Sequence, residues 1–320
     1  MKKKFLILTL VLVLVMVGSV VAKANLENSG QPKDNKSLPD KKDIEELNNF
    51  ENPAEKLIKR MKGEGKNKEE ITKELNNQGF GWDPKTGATW RKCAGNCPSD
   101  EEIKQLKPLT PPHVPSPDQA NQVMEVENEV YRGIGNYMRP SEMLLDPDET
   151  TQHVITTHVG KEVAGEPCWT EAGVVRWLVD GNPTDINYFT YDNDEGQWKF
   201  HGTTDSSSKT SYVIYVSNEV DAWGYVYDIW IDGQWVRSGH LGHQENNVDQ
   251  ANEIWSDTGV YTDDEGIAKH ENSKLHVQDF SVWWDEQVDT EWWEAPQGSC
   301  PIYESHSIEG DAYAYYTWVD

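Results

Sequence analysis

Two glutamates lie in apolar, strand-like stretches, where a carboxylate is costly to bury. Glu171 lies in Cys168-Trp-Thr-Glu-Ala-Gly-Val-Val, and Glu253 lies in Val248-Asp-Gln-Ala-Asn-Glu-Ile-Trp255. An ionised side chain on the buried face of a sheet needs a partner or must take up a proton. Two carboxylates meet this need by sharing one proton, which raises the pKa of one group and leaves the other ionised. Such a pair can hydrolyse a bond without a metal or a nucleophilic side chain.

Other chemistry is poorly supported by the sequence. It contains no Gly-x-Ser-x-Gly, His-Glu-x-x-His, Walker or dinucleotide-binding motif. His240-Leu-Gly-His243 lacks an obvious third ligand, and the acidic stretches 192–196 and 263–266 lack the glycine spacing of a calcium loop. We therefore expect no cofactor and no metal. Glu171 and Glu253 remain the candidate catalytic residues, unless strand alternation places either one on a solvated face.

The elements that must position these glutamates are β-strands. Beyond residue 150, β-branched and aromatic residues alternate in short runs between turn residues, which predicts about ten strands in an antiparallel two-sheet sandwich or jelly roll. Asp232-Gly233 is a strong hairpin signal. The clearest predicted strands are Trp169–Val179, Ile186–Tyr191, Gln197–His201, Tyr212–Val216, Tyr225–Ile231, Trp235–Leu241, Leu275–Trp284 and Ala312–Val319. The predicted core residues are Val174, Trp177, Val179, Tyr212, Ile214 and Val216.

The N-terminal half is organised differently. Three lysines, an apolar run and a small-x-small site ending at Ala24 predict a cleaved signal peptide over residues 1–24. A polar flexible leader follows at 25–49. Residues 50–109 show helical spacing, including a capping box from Ser99 to Glu102. A proline-rich linker over 110–150 then leads to the β-sandwich domain at 151–320.

Charge divides the chain in the same way. The protein carries 29 Lys+Arg and 55 Asp+Glu, and residues 151–320 hold only 7 of the former but 31 of the latter. Such a domain repels nucleic acid and anionic membranes at neutral pH. We therefore expect no nucleic-acid partner, no stable membrane span after signal cleavage, and a secreted, extracellular location.

Four cysteines in an exported chain predict two disulfides. Cys93 and Cys97 bracket a tight Ala-Gly-Asn loop, while Cys168 and Cys300 lie near the two ends of the β region. Of the three pairings that four cysteines allow, this spacing favours Cys93–Cys97 and Cys168–Cys300. The second bridge would stabilise the fold by about 4 to 5 kcal/mol on the chain-entropy model. A metal site at Cys93-x-x-x-Cys97 is the rival interpretation.

The first glutamate lies in a stretch with a family resemblance. Trp169-Thr-Glu-Ala-Gly-Val, followed by Tyr188-Phe-Thr-Tyr-Asp-Asn-Asp194, resembles the segment of neprosin-type glutamic peptidases in which a glutamate precedes Ala-Gly and a Phe-Thr-Tyr strand follows. In these peptidases a second catalytic glutamate lies further on, beside a tryptophan and after a hairpin. Eqolisins, their relatives, have glutamine at the first position. The predicted hairpin Tyr225–Leu241 and then Glu253-Ile-Trp255 occur in the matching order.

The resemblance covers residues 168–259. It implies a concanavalin A-like sandwich and a glutamic endopeptidase made as a precursor, acting on polypeptides mainly in acid. Glu171 and Glu253 would be catalytic, and Tyr191 and Trp255 would bind substrate. The tryptophan lies two positions after Glu253 and the glycine pair of neprosin is missing, so Glu245 is the nearest substitute for the second glutamate.

Two other functions fit a sandwich of this kind. Trp283-Trp284 and Trp292-Trp293 place neighbouring indoles on opposite faces of a strand, so a non-catalytic module could stack polysaccharide on the exposed members. Alternatively, the two acids could form a glycoside hydrolase pair, which requires a carboxyl separation of about 5 to 9 Å. The predicted partner is a polypeptide substrate, with a polysaccharide as the alternative.

Overall fold

Antiparallel strands form most of the protein in a computed structural model of the full chain. The structure describes residues 41–109, 118–263, 266–279, 281–284, 290–294, 300–309 and 312–319. The predicted signal peptide and the leader up to residue 40 lie outside these residues. No helix of the described part is long and apolar enough to cross a membrane.

The elements follow one another as a short helical region and then a long run of strands. The helices are α1 (Lys41–Asn48), α2 (Pro53–Gly63), α3 (Lys68–Asn77) and α4 (Asp100–Ile103). The strands are β1 (Phe80–Trp82), β2 (Thr89–Arg91), β3 (Gln119–Tyr131), β4 (Gly133–Arg139), β5 (Gln152–Val163), β6 (Glu166–Val179), β7 (Asn182–Pro183), β8 (Ile186–Asp192), β9 (Gln197–Thr204), β10 (Thr210–Val220), β11 (Tyr225–Ile231), β12 (Gln234–Leu241), β13 (Asn246–Trp255), β14 (Ala268–His276), β15 (Ser281–Trp283), β16 (Thr290–Glu294), β17 (Ile302–Glu309) and β18 (Ala312–Val319).

These strands form two antiparallel sheets, as the sequence predicts. The ten-stranded sheet has the order β1-β2-β12-β11-β10-β4-β14-β18-β17, with β15 paired to β14. The eight-stranded sheet has the order β16-β3-β13-β5-β6-β8-β9, with β7 paired to β6. The Asp232-Gly233 hairpin is confirmed, because Ile231 pairs with Gln234 and both turn residues have positive φ angles, 50° and 70°.

One apolar core lies between the sheets. Ile155 and Val174 of the eight-stranded sheet pack in the same buried cluster as Ile214 and Tyr227 of the ten-stranded sheet. Of the predicted core residues, Tyr212 and Val216 also belong to this cluster. Trp177 is buried in a different cluster, and Val179 packs only partly buried against it. Burial of this apolar surface is the main stabilising contribution to the sandwich.

The helical region packs against the outer side of the ten-stranded sheet. Asn52 caps α2 by accepting hydrogen bonds from the backbone N–H groups of Ala54 and Glu55, and its Nδ2 donates to Ser238 Oγ of β12 at 2.7 Å. The buried face of α2 and α3 forms an apolar cluster with Trp235. The capping box between Ser99 and Glu102 is present at α4. This region is therefore built into the sandwich rather than standing apart from it.

The prediction of a linker over residues 110–150 is wrong for about half of that range, because two strands lie within it. Residues 110–117 lie outside the described part, but from Gln119 to Arg139 the chain forms β3 and β4, and both lie within sheets. Buried polar side chains hide the alternation of β3, since Gln119, Asn121 and Gln122 are all at most 4% exposed. The continuous run of sandwich strands therefore begins near residue 119 instead of 151, and β1 and β2 join the ten-stranded sheet before it. Helix α1 replaces the end of the predicted flexible leader.

One of the two predicted disulfides is present. Cys93 and Cys97 are bonded, whereas Cys168 and Cys300 are free thiols. Cys168 precedes Trp169 on β6. Trp169 pairs with Gly160 of β5, which in turn pairs with Asn247 of β13. The Cys300 thiol instead lies against Asn121, which is opposite Glu253.

The strand positions nearest the two cysteines, Asn247 and Glu253, are six residues apart on β13, which corresponds to about 20 Å at about 3.3 Å per residue. A disulfide requires Cα atoms within about 7 Å of each other. The predicted Cys168–Cys300 bridge is therefore wrong.

Candidate active site

Strand register places Glu171 and Glu253 on the same face of the eight-stranded sheet. On β5, His158 pairs with Glu171 of β6, and Val154 pairs with Glu253 of β13. Residues 154 and 158 are four apart on an unbroken strand, so their side chains and those opposite share a face. The intervening Ile155 points into the core between the sheets. We call the glutamate-bearing side the outer face.

Glu171 is buried and well supplied with hydrogen-bond donors. Its side chain is 1% exposed. Trp169 Nε1 donates to Oε1 at 3.1 Å, and Thr156 Oγ1 donates to Oε2 at 2.9 Å. Burial raises the pKa of Glu171 above its ordinary value, while the charge of His158 and the two donors act to lower it. The surroundings therefore partly favour the ionised form.

Glu253 is equally buried but has fewer donors. Its side chain is 0% exposed, and Gln119 Nε2 donates to Oε2 at 2.8 Å. Oε1 has no hydrogen-bond partner in the part of the chain that the structure describes. Burial and then the negative charge of Glu171 raise the pKa of Glu253 well above its ordinary range. Glu253 is thus the carboxyl that holds a proton when Glu171 is ionised.

A histidine and an aspartate lie in the same row as Glu171. Each residue of this row pairs directly with the next across five adjacent strands, in the order Glu125, Asp249, His158, Glu171 and Tyr191. His158 Nδ1 lies 2.6 Å from Asp249 Oδ2, and the two side chains are 3% and 0% exposed. This buried pair brings a second acid–base couple to the site.

The predicted substrate-binding residues lie on the outer face as well. Tyr191 is partly exposed and follows Glu171 in the row, with its ring 5.9 Å from that of Trp169 and 5.6 Å from that of Trp198. Trp255 follows Glu253 by two residues on β13 and is only 2% exposed. An aromatic surface thus borders one glutamate, and a covered tryptophan borders the other.

Part of the outer face is covered by residues 92–109, which we call the strap. Leu109 of the strap is 5% exposed and packs in one cluster with Val154, Trp177 and Trp255. Ile103 and Leu106 pack partly buried against the same cluster. Since Val154 lies directly opposite Glu253, the end of the strap covers the neighbourhood of that glutamate.

Polar contacts also hold the strap in place. Trp177 Nε1 donates to the carbonyl oxygen of Glu102 at 3.0 Å, and the backbone N–H of Lys107 donates to Gln152 Oε1 at 2.8 Å. Lys107 Nζ lies 2.5 Å from Asp257 Oδ1. The strap reaches this face from β2, on the other sheet, and the Cys93–Cys97 disulfide lies in its first turn.

The structure therefore brings both predicted glutamates to one face. Glu245, the predicted substitute for Glu253, does not lie on that face. Glu245 is exposed in the loop before β13. Sequence reasoning missed His158, Asp249, Thr156 and Gln119. A signal was available for Asp249 only, because it stands four residues before Glu253 and hence on the same side of a strand.

No protein-family model matches the chain, and no curated protein matches it. Among solved structures, the fold is similar to scytalido-glutamic peptidase with a peptide-based transition state analog, at 10% identity and a TM-score of 0.42, over 63% of this chain and 98% of that one.

It is also similar to SCP-B, a member of the eqolisin family of peptidases in complex with the tripeptide Ala-Ile-His, at 11% identity and a TM-score of 0.39 over the same shares. The β-glucanase of Bacillus licheniformis matches at 10% identity and a TM-score of 0.24, over 59% of this chain and 64% of that one. Likeness at this level concerns the fold alone, so we base the function on the geometry of the site.

Proposed function

We propose that the protein is a secreted glutamic-type endopeptidase, made as a precursor, that hydrolyses polypeptides with Glu171 and Glu253. The observation that supports this proposal is the placement of two buried carboxyl groups on one sheet face, with unequal hydrogen bonding. Burying two such groups costs several kcal/mol, because each carboxyl must either be compensated by donors and cations or hold a proton. A stable sandwich has no need of that cost, whereas an acid–base pair depends on it.

The chemistry requires one ionised and one protonated carboxyl. The ionised group takes a proton from water as that water attacks the peptide carbonyl, and the protonated group donates a hydrogen bond to the developing oxyanion. Oε1 of Glu253, which has no hydrogen-bond partner in the described part, is the oxygen available for such a bond. Because the pair works with a single proton, activity falls when both groups ionise at high pH.

The precursor proposal is supported by the strap. Glu253 is 0% exposed, and Leu109 packs in one cluster with Val154, its cross-strand neighbour. We therefore expect that a polypeptide cannot reach the pair while the strap is docked. We expect cleavage near residues 110–117 to let the strap leave the outer face, so that residues 50–109 act as a pro-region. Export by the signal peptide fits the Cys93–Cys97 disulfide, since such bonds form outside the cytosol.

Proteolysis of a denatured protein substrate tests the proposal. The purified, acid-treated protein is assayed from about pH 2.5 to about pH 8, beside Glu171→Gln and Glu253→Gln. Each variant should lose activity by about 10³-fold or more, because it removes the acid or the base. Glu271→Gln is the matched control, because Glu271 is also buried but pairs with Lys209 and Lys269 on the other sheet.

Retained acid proteolysis in both glutamine variants would contradict the proposal. Loss in Glu271→Gln as well would show that the assay reports folding rather than chemistry.

A polysaccharide-binding module remains the second candidate, on a different surface. The Tyr303 ring stacks on that of Trp318 with centroids 5.9 Å apart, and Tyr303 is 51% exposed. Of the tryptophans predicted to stack on sugars, Trp284 is buried in the core, and the side chains of Trp283, Trp292 and Trp293 lie outside the described part. Binding to insoluble polysaccharide that is lost in Trp318→Ala, with unchanged thermal stability, would support this function.

A further inference from the structure

His158 stands between an aspartate and the first glutamate. Asp249 faces it from β13 at 2.6 Å, and Glu171 faces it from β6 as its direct cross-strand neighbour. Side chains directly opposite in an antiparallel pair have Cβ atoms about 4.5 to 5.5 Å apart. A protonated imidazole at this position is therefore held by one anion and lies beside a second.

The two glutamates differ in what would stabilise a negative charge. Glu171 receives hydrogen bonds from Trp169 and Thr156 and has the His158 ring in its own row. Glu253 receives one hydrogen bond, from the uncharged amide of Gln119, and it lies opposite an aliphatic residue, Val154. A buried carboxylate is stable only where donors or cations compensate its charge.

We infer that His158, anchored by Asp249, is a positioning residue that keeps Glu171 ionised, which makes Glu171 the base and Glu253 the acid. This inference rests on the proposed function and assigns the roles within its pair. His158 touches neither water nor substrate in this scheme. It acts through the charge that it places beside Glu171.

The charges around His158 agree with this assignment. Burial lowers the pKa of His158, but the facing carboxylates of Asp249, Glu171 and Glu125 outweigh burial and raise it above its ordinary value. Tyr191 faces Glu171 from β8, and burial followed by the charge of Glu171 raises its pKa, so it stays neutral. The histidine is thus protonated in the acid range in which the pair would work.

The pH profile of kcat/KM tests the inference. If Glu171 is the base, the acidic limb of the profile reports its ionisation in the free enzyme. His158→Gln removes the neighbouring cation and leaves Asp249 without its partner, and both changes make Glu171 harder to ionise. The limb should move up by about one to two pH units, so that activity below the limb falls about 10-fold to 100-fold.

Asp249→Asn should move the acidic limb in the same direction but by less than His158→Gln, because His158 loses the anion that keeps it protonated while Glu171 loses a negative charge that itself raises its pKa. His153→Gln is the matched control. His153 lies on the same strand and is 1% exposed, but it points into the core, where its Nε2 contacts Asn252 Oδ1 at 2.7 Å. We expect this variant to lose stability without moving the limb.

An acidic limb that stays in place in His158→Gln and Asp249→Asn, in a wild type that cleaves protein, would overturn the inference and leave the peptidase proposal intact. If the wild type shows no proteolysis, the peptidase proposal fails, and the electrostatic role is decided by NMR of protein labelled with ¹³C at the glutamate carboxyl groups. The signal that Glu171→Gln removes should titrate at higher pH in His158→Gln than in wild type. Equal titration would overturn the inference on its own.

Discussion

Consecutive residues of β5 point to two buried faces whose chemistry differs. Toward the core, Ile155 packs among apolar residues, and Thr157 accepts a hydrogen bond from Asn136 at 3.0 Å. On the outer face, His158 contacts Asp249, and Thr156 donates to Glu171. The core-side contact joins two uncharged side chains, whereas each outer-face contact includes at least one ionisable side chain. Because buried charge opposes stability, the ionisable contacts of the outer face support the proposed catalytic role better than a purely structural one.

The two faces also differ in what buries them. The core face is covered by the ten-stranded sheet, which contributes Ile214 and Tyr227 to the shared cluster. The outer face is covered in part by the strap, through Leu109. The second sheet supplies one side of the shared core, whereas the strap contributes no strand to either sheet of the described part. The ionisable face is therefore the one that can be uncovered.

The largest expected effect comes from loosening the strap. Leu109→Asp places a charge in the apolar cluster beside Val154 and Trp255, which costs several kcal/mol in the docked state. We expect the uncut protein to cleave a denatured substrate at least about tenfold faster than wild type. Ile58→Asp is the control, because Ile58 is similarly buried, at 6% exposed, but lies on the buried face of α2, which packs against the other sheet. Equal activation by both variants would contradict the assignment of the strap as the cover.

The next effect is on the pH dependence of stability, and it comes from Asp228, a buried carboxyl group outside the glutamate pair. Asp228 lies on the outer side of the ten-stranded sheet and accepts a hydrogen bond from Ser238. Burial raises the pKa of Asp228 to about 7. The folded state then binds a proton that the unfolded state has released, so the free energy of unfolding falls as pH rises from about 4 to about 7.

The contribution of Asp228 to that fall is on the order of 4 kcal/mol. Denaturant unfolding at several pH values should show a flatter profile in Asp228→Asn, with unchanged peptidase activity. Identical slopes in wild type and variant would rule out this burial effect.

The smallest effects compare two adjacent threonines directly. Thr156→Val removes a donor to Glu171, so we expect the acidic limb of kcat/KM to rise by about half a pH unit and stability to fall by about 1 kcal/mol. Thr157→Val removes an acceptor on the core face and should lower stability by about the same amount. Only the first variant should change the pH profile. A shift in both would show that the two faces are not separate in function.

Much of the architecture could be predicted because it follows from local patterns. Asp232-Gly233 closes a hairpin by its own backbone preferences, and the alternation in Tyr225–Ile231 matches β11. The strands that carry the site are harder to recognise. In β13, Asp249 and Glu253 alternate with Gln250 and Asn252, so both faces are polar although all four side chains are buried. Alternation fails as a signal when a strand is buried on both sides.

The candidate site could be predicted only in part, for a related reason. Glu171 and Glu253 could be chosen because each is a carboxylate in an apolar stretch. The contact between His158 and Asp249 depends on the register of β5 against β13, and register is set by the whole sheet rather than by either stretch. The same limit explains the Cys168–Cys300 prediction, because distance along strands cannot be read from spacing in the chain.

The central claim is that one carboxyl of the outer face holds a proton at neutral pH while its partner is ionised. Infrared spectroscopy at about pH 7.5 measures this directly, since a protonated carboxyl has its own C=O stretching band. Asp228→Asn serves as the background, because the pKa of Asp228 is about 7. We predict that the band is present in this background, persists when Glu171→Gln is added, and disappears when Glu253→Gln is added. Absence of the band, or its persistence with Glu253→Gln, would contradict the account.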